Sequence, residues 1–209
     1  MRTKTTAFIL IFMLAPTLLA CFYEESCDPV PEFFVVKGFR GSDYVVPTGM
    51  DQPFLETVGT MQSANWEELR LWVQFDIDFI AARQPDFGAT LQALTCLEPG
   101  FGGSTVGMDT LFIKTVYDYD EAHPAGSMMN DIVRLDPQLN FASWANPNLS
   151  SVARFLQKVE SGVPTNGFEL RLAAPPGTSR TDFALRITCR MNDADWFTHT
   201  TKPVVVAKD

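Results

Sequence analysis

The residue types that most often carry enzymatic or metal chemistry are sparse in this sequence. The chain has two histidines: His123 precedes a proline, and His199 lies among threonines with no other metal-ligating residue beside it. A zinc site needs about three or four His, Cys or carboxylate ligands at suitable spacing. No nucleophile-elbow, phosphate-loop or dinucleotide-binding motif is present either. We therefore expect structural roles for both histidines, no metal site, no cofactor and no catalytic residue.

Two acidic clusters are the remaining candidates for chemistry. Asp118, Asp120 and Glu121 form the first, and Asp193 and Asp195 form the second. Calcium takes about six to eight oxygen ligands, often from such loops, but neither cluster has the EF-hand spacing. Solvated turns are therefore the expected role of both clusters. A hydrolase that uses loop carboxylates is the alternative function, and it requires two carboxylates about 5–9 Å apart in a cleft.

The N-terminal residues predict how the chain is held in the cell. Arg2 and Lys4 give a positive start, and an apolar run follows over residues 7–15. This order is typical of a secretory signal, and the run is shorter than the roughly 20 residues that cross a bilayer. An ordinary signal cut after Ala20 fits poorly, because Leu18 would occupy a position that requires a small side chain.

Residues 18–21 have the sequence Leu-Leu-Ala-Cys, which resembles the lipobox of bacterial lipoproteins. The resemblance implies cleavage between Ala20 and Cys21, a diacylglycerol thioether on Cys21, and a fatty acyl chain such as palmitate on its amine. Two or more acyl chains anchor a protein stably, whereas one binds only marginally. The alternatives are an uncleaved anchor or a plain signal that happens to precede a cysteine.

Glu24 and Glu25 follow the lipobox closely. This acidic pair looks like the export signal that carries lipoproteins of Bacteroidota to the outer face of their outer membrane. A solvated acidic tether is the alternative interpretation. We therefore expect a lipid-anchored cell-envelope protein that is exposed on the outer membrane, with the membrane as its partner through the lipid.

Composition limits the partners and the number of domains. Without residues 1–20 the chain keeps 14 basic and 25 acidic residues, a formal charge of −11. Such a chain repels phosphate backbones, so nucleic acid is not an expected partner. The remaining 189 residues, with a hydrophobic content of 46% for the whole chain, suffice for one well-filled core. We predict a signal peptide over 1–20, a lipidated tether over 21–31 and a single domain over 32–209.

Four cysteines become three once Cys21 carries lipid, so at most one intramolecular disulfide can form. Export to the envelope permits such a bond. The odd positions of 183–191 are apolar, which places Cys189 on the buried face of a strand. Cys27 and Cys96 lie at element boundaries, and we predict a bridge between them, although sequence does not fix connectivity. Its loop of about 70 residues would stabilise the fold by roughly 4 kcal/mol in the chain-entropy model.

The clearest strand covers residues 69–79, where every odd position is apolar and most even positions are polar. A helix with a period of 3.6 residues cannot satisfy this alternation. The best helix candidate is 151–159, with an apolar stripe, Ser150 or Ser151 as N-cap, and Gly162 beyond its end. One helical turn is also predicted over 128–133. Further strands are predicted at 32–38, 44–46, 89–96, 110–117, 168–172, 183–191, 196–200 and 204–206.

These elements predict an all-β fold, an antiparallel immunoglobulin-like β-sandwich with one or two short helices in its connections. Several segments also resemble a family of uncharacterised Bacteroidota lipoproteins, defined as a domain of unknown function. The segments are Cys27-Asp28-Pro29, 68–75, 96–104, 118–120, 123–127 and Asn130-Asp131. The resemblance implies a location in the envelope and no particular chemistry, since a shared fold does not supply a function.

Aromatic residues suggest what such a domain would bind. Trp66, Trp72, Trp144 and Trp196, with many phenylalanines, could line a glycan platform, although aromatic residues of a sandwich belong more often to its core. Trp72 lies on the predicted outer face of its strand and is the tryptophan to test. We expect a binding or structural module for protein or glycan, and not an enzyme.

Overall fold

The structure is a computed structural model that describes residues 31–48, 54–80, 99–137, 149–192 and 195–208. The chain divides into two compact units, and every described residue belongs to the unit formed by Val30–Gln84 and Glu98–Asp209. The described residues form twelve strands and one helix: β1 (Phe33–Thr48), β2 (Phe54–Thr57), β3 (Ser63–Asn65), β4 (Arg70–Phe79), β5 (Gly103–Ser104), β6 (Met108–Thr115), β7 (Val133–Asp136), α1 (Val152–Val159), β8 (Gly167–Leu172), β9 (Arg180–Phe183), β10 (Leu185–Met191), β11 (Trp196–Thr200) and β12 (Val204–Ala207).

The strands form three sheets that are mainly antiparallel. The largest has the order β2-β1-β4-β8-β7, with β5 paired to β1, and the two smaller sheets have the orders β11-β10-β6 and β3-β12-β9. Only the pairs β1–β5 and β3–β12 are parallel among the described strands. One hydrophobic core joins side chains from all three sheets and α1. The predicted class, an antiparallel all-β sandwich, is confirmed.

The first strand differs from its prediction. The sequence predicted two short strands around a loop, whereas β1 is one strand of 16 residues. Two bulges, which leave Lys37 and Arg40 as extra residues against β4, break its alternation. The residues of β1 that face the core, which include Phe34, Phe39 and Tyr44, are therefore unevenly spaced along the sequence. A strand without regular alternation is not recognised from a period of two residues.

Strand β4 is confirmed, with Leu71, Val73 and Phe75 buried. Its polar face is partly covered. Arg70 is buried, and its guanidinium lies 3.9 Å from the carboxylate of Glu169 on β8. A buried charge is tolerated when it is paired, so this ion pair explains why an arginine can be covered here.

The helix and the strands predicted at 168–172, 196–200 and 204–206 are present. The strand predicted over 183–191 is divided at Ala184, because Phe183 ends β9 and Leu185 begins β10 in a different sheet. Cys189 is buried on β10 as a free thiol, and burial raises its pKa to about 12. Strand β10 pairs antiparallel with β11. Helix α1 begins after Ser151, whose Oγ accepts a hydrogen bond from the Arg154 backbone N–H at 3.4 Å. Its buried Phe155 packs against Phe168 of β8, with ring centres 5.5 Å apart.

The turn predicted over 128–133 is present, whereas several other predictions cannot be compared with the structure. Residues 128–133 form a single turn, in which Ile132 and Val133 both donate to the Met129 carbonyl, and β7 begins at Val133. The lipobox with Cys21, the Cys27–Cys96 bridge and the strand at 89–96 lie outside the described residues. No helix in the described part of the chain is long and apolar enough to span a bilayer.

Candidate ligand-binding face and groove

The sheet β11-β10-β6 carries an unusual set of side chains on its outer face. Alternate residues of these strands, such as Leu111, Ile187 and Cys189, are buried in the core. Their neighbours must point outward, because successive side chains of a strand lie on opposite faces. Strand pairing places these outward residues in two rows across the sheet. The first row is Thr110, Arg190 and Trp196, and the second is Phe112, Thr188 and Thr198.

Two aromatic rings dominate this outer face. Phe112 of β6 is 39% exposed and Trp196 of β11 is 51% exposed. Their ring centres lie 6.3 Å apart, and their planes are inclined by only 15°. We call these two residues the aromatic pair. Their nearly parallel rings leave apolar area exposed to solvent, and a flat apolar surface of a ligand could pack against it.

An ion pair borders the aromatic pair. The guanidinium of Arg190 lies 5.4 Å from the centre of the Trp196 ring. Its Nε donates to both carboxylate oxygens of Asp109, at 2.8 and 3.1 Å. The hydrogen bond from Arg190, followed by one from Thr110, holds the pKa of Asp109 below its ordinary value. Asp109 is therefore an ionised hydrogen-bond acceptor at neutral pH.

A groove of about 390 Å³ adjoins this face between β6 and α1. Phe112 and Asp109 belong to its wall, so the groove is continuous with the aromatic pair and the ion pair. Its lining combines polar side chains with the first two turns of α1. The lining residues are Asp109, Thr110, Leu111, Phe112, Asn130, Asp131, Ser151, Val152, Ala153 and Leu156.

Asn130 holds the turn that forms one side of the groove against the edge of β6. Its side-chain nitrogen donates to the Leu111 carbonyl at 3.0 Å, and its side-chain oxygen accepts from the Ile113 N–H at 3.0 Å. The side-chain amide of Asn130 thus pairs with two backbone groups of β6 that would otherwise be open to pairing with a neighbouring strand. Unpaired edge groups invite pairing with other chains, so this contact protects the edge of β6.

A buried histidine fixes the position of Asp131. The Nδ1 atom of His123 lies 2.8 Å from Asp120 Oδ1, and its Nε2 atom lies 3.1 Å from both carboxylate oxygens of Asp131. Burial alone would lower the pKa of His123, but the two carboxylates outweigh burial and raise it. Burial also opposes ionisation of Asp131, yet the hydrogen bond from His123 lowers its pKa overall.

The two carboxylates of the groove lack the raised pKa that a general acid requires. Glycosidases of the common type need one carboxyl group that stays protonated near neutral pH and donates its proton to the leaving group. Both Asp109 and Asp131 have lowered pKa values instead. Ionised carboxylates accept hydrogen bonds from hydroxyl groups, so the arrangement favours binding over proton transfer.

The first acidic cluster consists of turn residues. Asp118 accepts from the Ala125 backbone N–H at 2.7 Å, and Asp120 accepts from the Ala122 backbone N–H at 2.9 Å. Of the second cluster, Asp195 is exposed after β10, and Asp193 lies outside the described residues. No group of three or more His, Cys, Asp or Glu residues within the described ranges is placed to hold a metal ion.

The tryptophan singled out from the sequence is not the exposed one. Trp72 is only partly accessible on its sheet, whereas Trp196 is half exposed. Trp66 packs against the core, and Trp144 lies outside the described residues. The sequence predicted a strand over 196–200, but it did not indicate which face would be exposed or that Trp196 would lie beside Phe112 of another strand.

No protein-family model matches the chain, and no similar protein was found among curated sequences or solved structures.

Proposed function

We propose that this chain is a lipid-anchored envelope protein whose sandwich domain binds a neutral glycan on the aromatic pair and the adjoining groove. The observation that carries the proposal is the pair of nearly parallel, exposed rings beside an aspartate–arginine ion pair. Such a surface offers a sugar two kinds of contact at the same place.

The chemistry of a sugar ring fits both contacts. One face of a pyranose exposes C–H groups, which can lie on an aromatic ring, while its hydroxyls need hydrogen-bond partners at the ring's edge. Phe112 and Trp196 provide the ring faces. Asp109 provides acceptors, and Arg190 provides donors, a combination that suits hydroxyl groups. Ligand sites in general combine apolar walls with a few well-placed polar groups.

Charge favours a neutral glycan over an acidic one. The whole chain has a formal charge of −9, and Asp109 and Asp131 are two ionised groups of the groove itself. A polyuronate or sulfated chain would meet repulsion there. A protein partner is the other occupant that the sequence left open. A standard protein interface needs roughly 800 Å² per partner, whereas two rings set among threonines and charged residues suit a narrower ligand.

The anchor and the location rest on residues 18–21 and on the acidic pair Glu24 and Glu25. With acyl chains on Cys21, the domain would be tethered to the envelope and exposed at the cell surface. The resemblance to uncharacterised Bacteroidota lipoproteins supports the same location. Glycan binding suits that location, because a domain exposed at the cell surface would be in contact with surface polysaccharides.

Affinity electrophoresis tests the glycan proposal. The purified domain is run through native gels that contain a neutral β-glucan, a neutral mannan or polygalacturonate. We expect retardation by a neutral polysaccharide and none by polygalacturonate. Trp196→Ala and Phe112→Ala should each weaken binding by roughly 30-fold, the effect of losing about 2 kcal/mol at an aromatic hot spot.

Phe101→Ala is the matched control, because Phe101 is 48% exposed and lies just before β5, a strand of a different sheet. This variant should bind as tightly as the unaltered domain. Equal retardation of Trp196→Ala, Phe112→Ala and Phe101→Ala would show that the glycan binds elsewhere on the domain. Absence of retardation by every neutral polysaccharide in a broad panel would refute the glycan proposal.

A further inference from the structure

A second polar site lies at the margin of the sandwich, away from the groove. Ser42 of β1 and His199 of β11 are joined by a hydrogen bond of 2.8 Å between Oγ and Nε2, although 157 residues separate them. Ser42 pairs with Val73 and His199 pairs with Ile187, both of which are core residues. Both side chains therefore face inward, where two different sheets meet.

The bulges of β1 create this meeting. The second bulge, at Arg40, shifts the inward register so that Ser42 takes an inward position next to β11. Bulges re-aim side chains and occur frequently beside active sites. Behind the pair, the hydroxyls of Tyr44 and Thr201 form a buried hydrogen bond of 2.9 Å between the same two regions of chain. This bond links the same two regions of chain two residues beyond Ser42 and two residues beyond His199.

The surroundings of His199 suit a base. Its ring lies 5.7 Å from the ring of Phe39, and burial lowers its pKa below the ordinary value. The imidazole is therefore neutral at neutral pH. In the tautomer with a proton on Nδ1, Nε2 accepts the hydrogen bond from the Ser42 hydroxyl, which is the arrangement of a serine nucleophile and its base.

The pair opens into a groove of about 430 Å³. Its lining includes Arg40, Gln74 and Lys202, together with the acidic residue Asp43. The side chains of Arg40, Gln74 and Lys202 are of the kind that stabilises an oxygen that becomes negative during acyl transfer, because they donate hydrogen bonds or carry positive charge. The volume is sufficient for a small acyl group.

We propose that Ser42 and His199 form a nucleophile–base pair that accepts an acyl group from a small carboxylic ester. The Ser42 Oγ–carbon bond forms while its proton passes to His199 Nε2. The ester carbon–oxygen bond then breaks, and the alcohol leaves with that proton. Water next gives a proton to Nε2 and its hydroxyl to the acyl carbon. The Ser42 Oγ–carbon bond then breaks, Oγ takes the proton back from Nε2, and the acid is released.

A fluorophosphonate probe tests this assignment on the purified full-length chain. Its phosphorus would bond to Ser42 Oγ as fluoride leaves, and peptide mass spectrometry locates the adduct on the unaltered protein. We expect an adduct on Ser42 and hydrolysis of p-nitrophenyl acetate. His199→Gln should slow both reactions by about 100-fold or more, the effect of removing a general base.

Ser63→Ala is the matched control, because Ser63 is an exposed strand serine on β3. This variant should be labelled at Ser42 at the unaltered rate. The proposal is overturned if Ser42 carries no more adduct than Ser63, or if His199→Gln reacts as fast as the original chain. The contact would then be a structural bridge only. Because the adduct is mapped on the unaltered chain, this arm of the test does not depend on whether a variant folds, and it is independent of glycan binding.

Discussion

Asn130 gives a sharp test of how the groove is built. Its side chain makes two hydrogen bonds to the edge of β6, one with the Leu111 carbonyl and one with the Ile113 N–H. Each contributes a net stabilisation of about 1 kcal/mol. Asn130→Ala should therefore lower the free energy of unfolding by about 2 kcal/mol, and the Tm by about 4–8 °C for a domain of this size.

Asn130→Asp refines the same test. The aspartate keeps an acceptor for the Ile113 N–H but turns a second oxygen toward the Leu111 carbonyl, where the amide donated a hydrogen bond. We expect this variant to be at least as unstable as Asn130→Ala at neutral pH. Asn166→Ala is the control, because Asn166 is exposed and its backbone carbonyl bond to the Phe75 N–H does not depend on its side chain.

Urea unfolding measures these differences as a change in midpoint at constant slope. Hydrogen exchange gives an independent readout, since the Ile113 amide should exchange faster in Asn130→Ala. Equal midpoints for Asn130→Ala and Asn166→Ala, with unchanged protection of Ile113, would refute the description of Asn130 as a substitute for a neighbouring strand.

The remaining predictions concern pH, the core and the anchor. The pKa of His123 is raised in the folded state, so its ion pairs stabilise the fold below the ordinary value of 6.5 and this contribution is lost as pH rises through the folded pKa. The pKa of Asp131 is lowered, so the stability that its ionised form contributes is present above pH 3.8 and is lost in acid. The difference in free energy of unfolding between the unaltered chain and His123→Gln should therefore peak near pH 5. A difference that stays constant from pH 4 to 9 would contradict this prediction. Phe155→Ala removes a fully buried ring from the core and should cost about 3–5 kcal/mol in urea unfolding, whereas a loss below about 1 kcal/mol would show that α1 is loosely packed. Cys21→Ser should abolish incorporation of radiolabelled palmitate and move the protein from the membrane fraction to the soluble one, and continued sedimentation with membranes would refute the lipid anchor.

The sequence revealed those elements whose burial pattern is regular. Strands β4 and β10 keep strict alternation because each is paired on both sides and faces one core. Helix α1 was found because its buried side chains repeat at helical spacing and a serine precedes them. Strand β1 was divided in two because its bulges at Lys37 and Arg40 shift the inward register twice.

The candidate sites could not be predicted in the same way, because each joins residues that are distant in sequence. Asp109 and Arg190 are separated by 81 residues, and the strand register that brings them together is not encoded in either segment alone. The pattern around Trp196 predicted a strand without saying whether its outward face would be covered. The sequence predicted a structural role for His123 but did not identify Asp120 and Asp131 as its partners, because the geometry of the turn that brings them together could not be predicted.

The position of β1 also has a mechanical consequence. Strand β1 begins at Phe33, close to where the described chain starts, and runs antiparallel to β4 over ten paired positions. A pull applied through the preceding residues, as a tethered protein experiences in flow, would act along the length of β1. The hydrogen bonds to β4 would then be loaded together in shear, rather than opened one after another as in a zipper. The strand that follows the proposed tether is thus oriented to resist being drawn out of the domain.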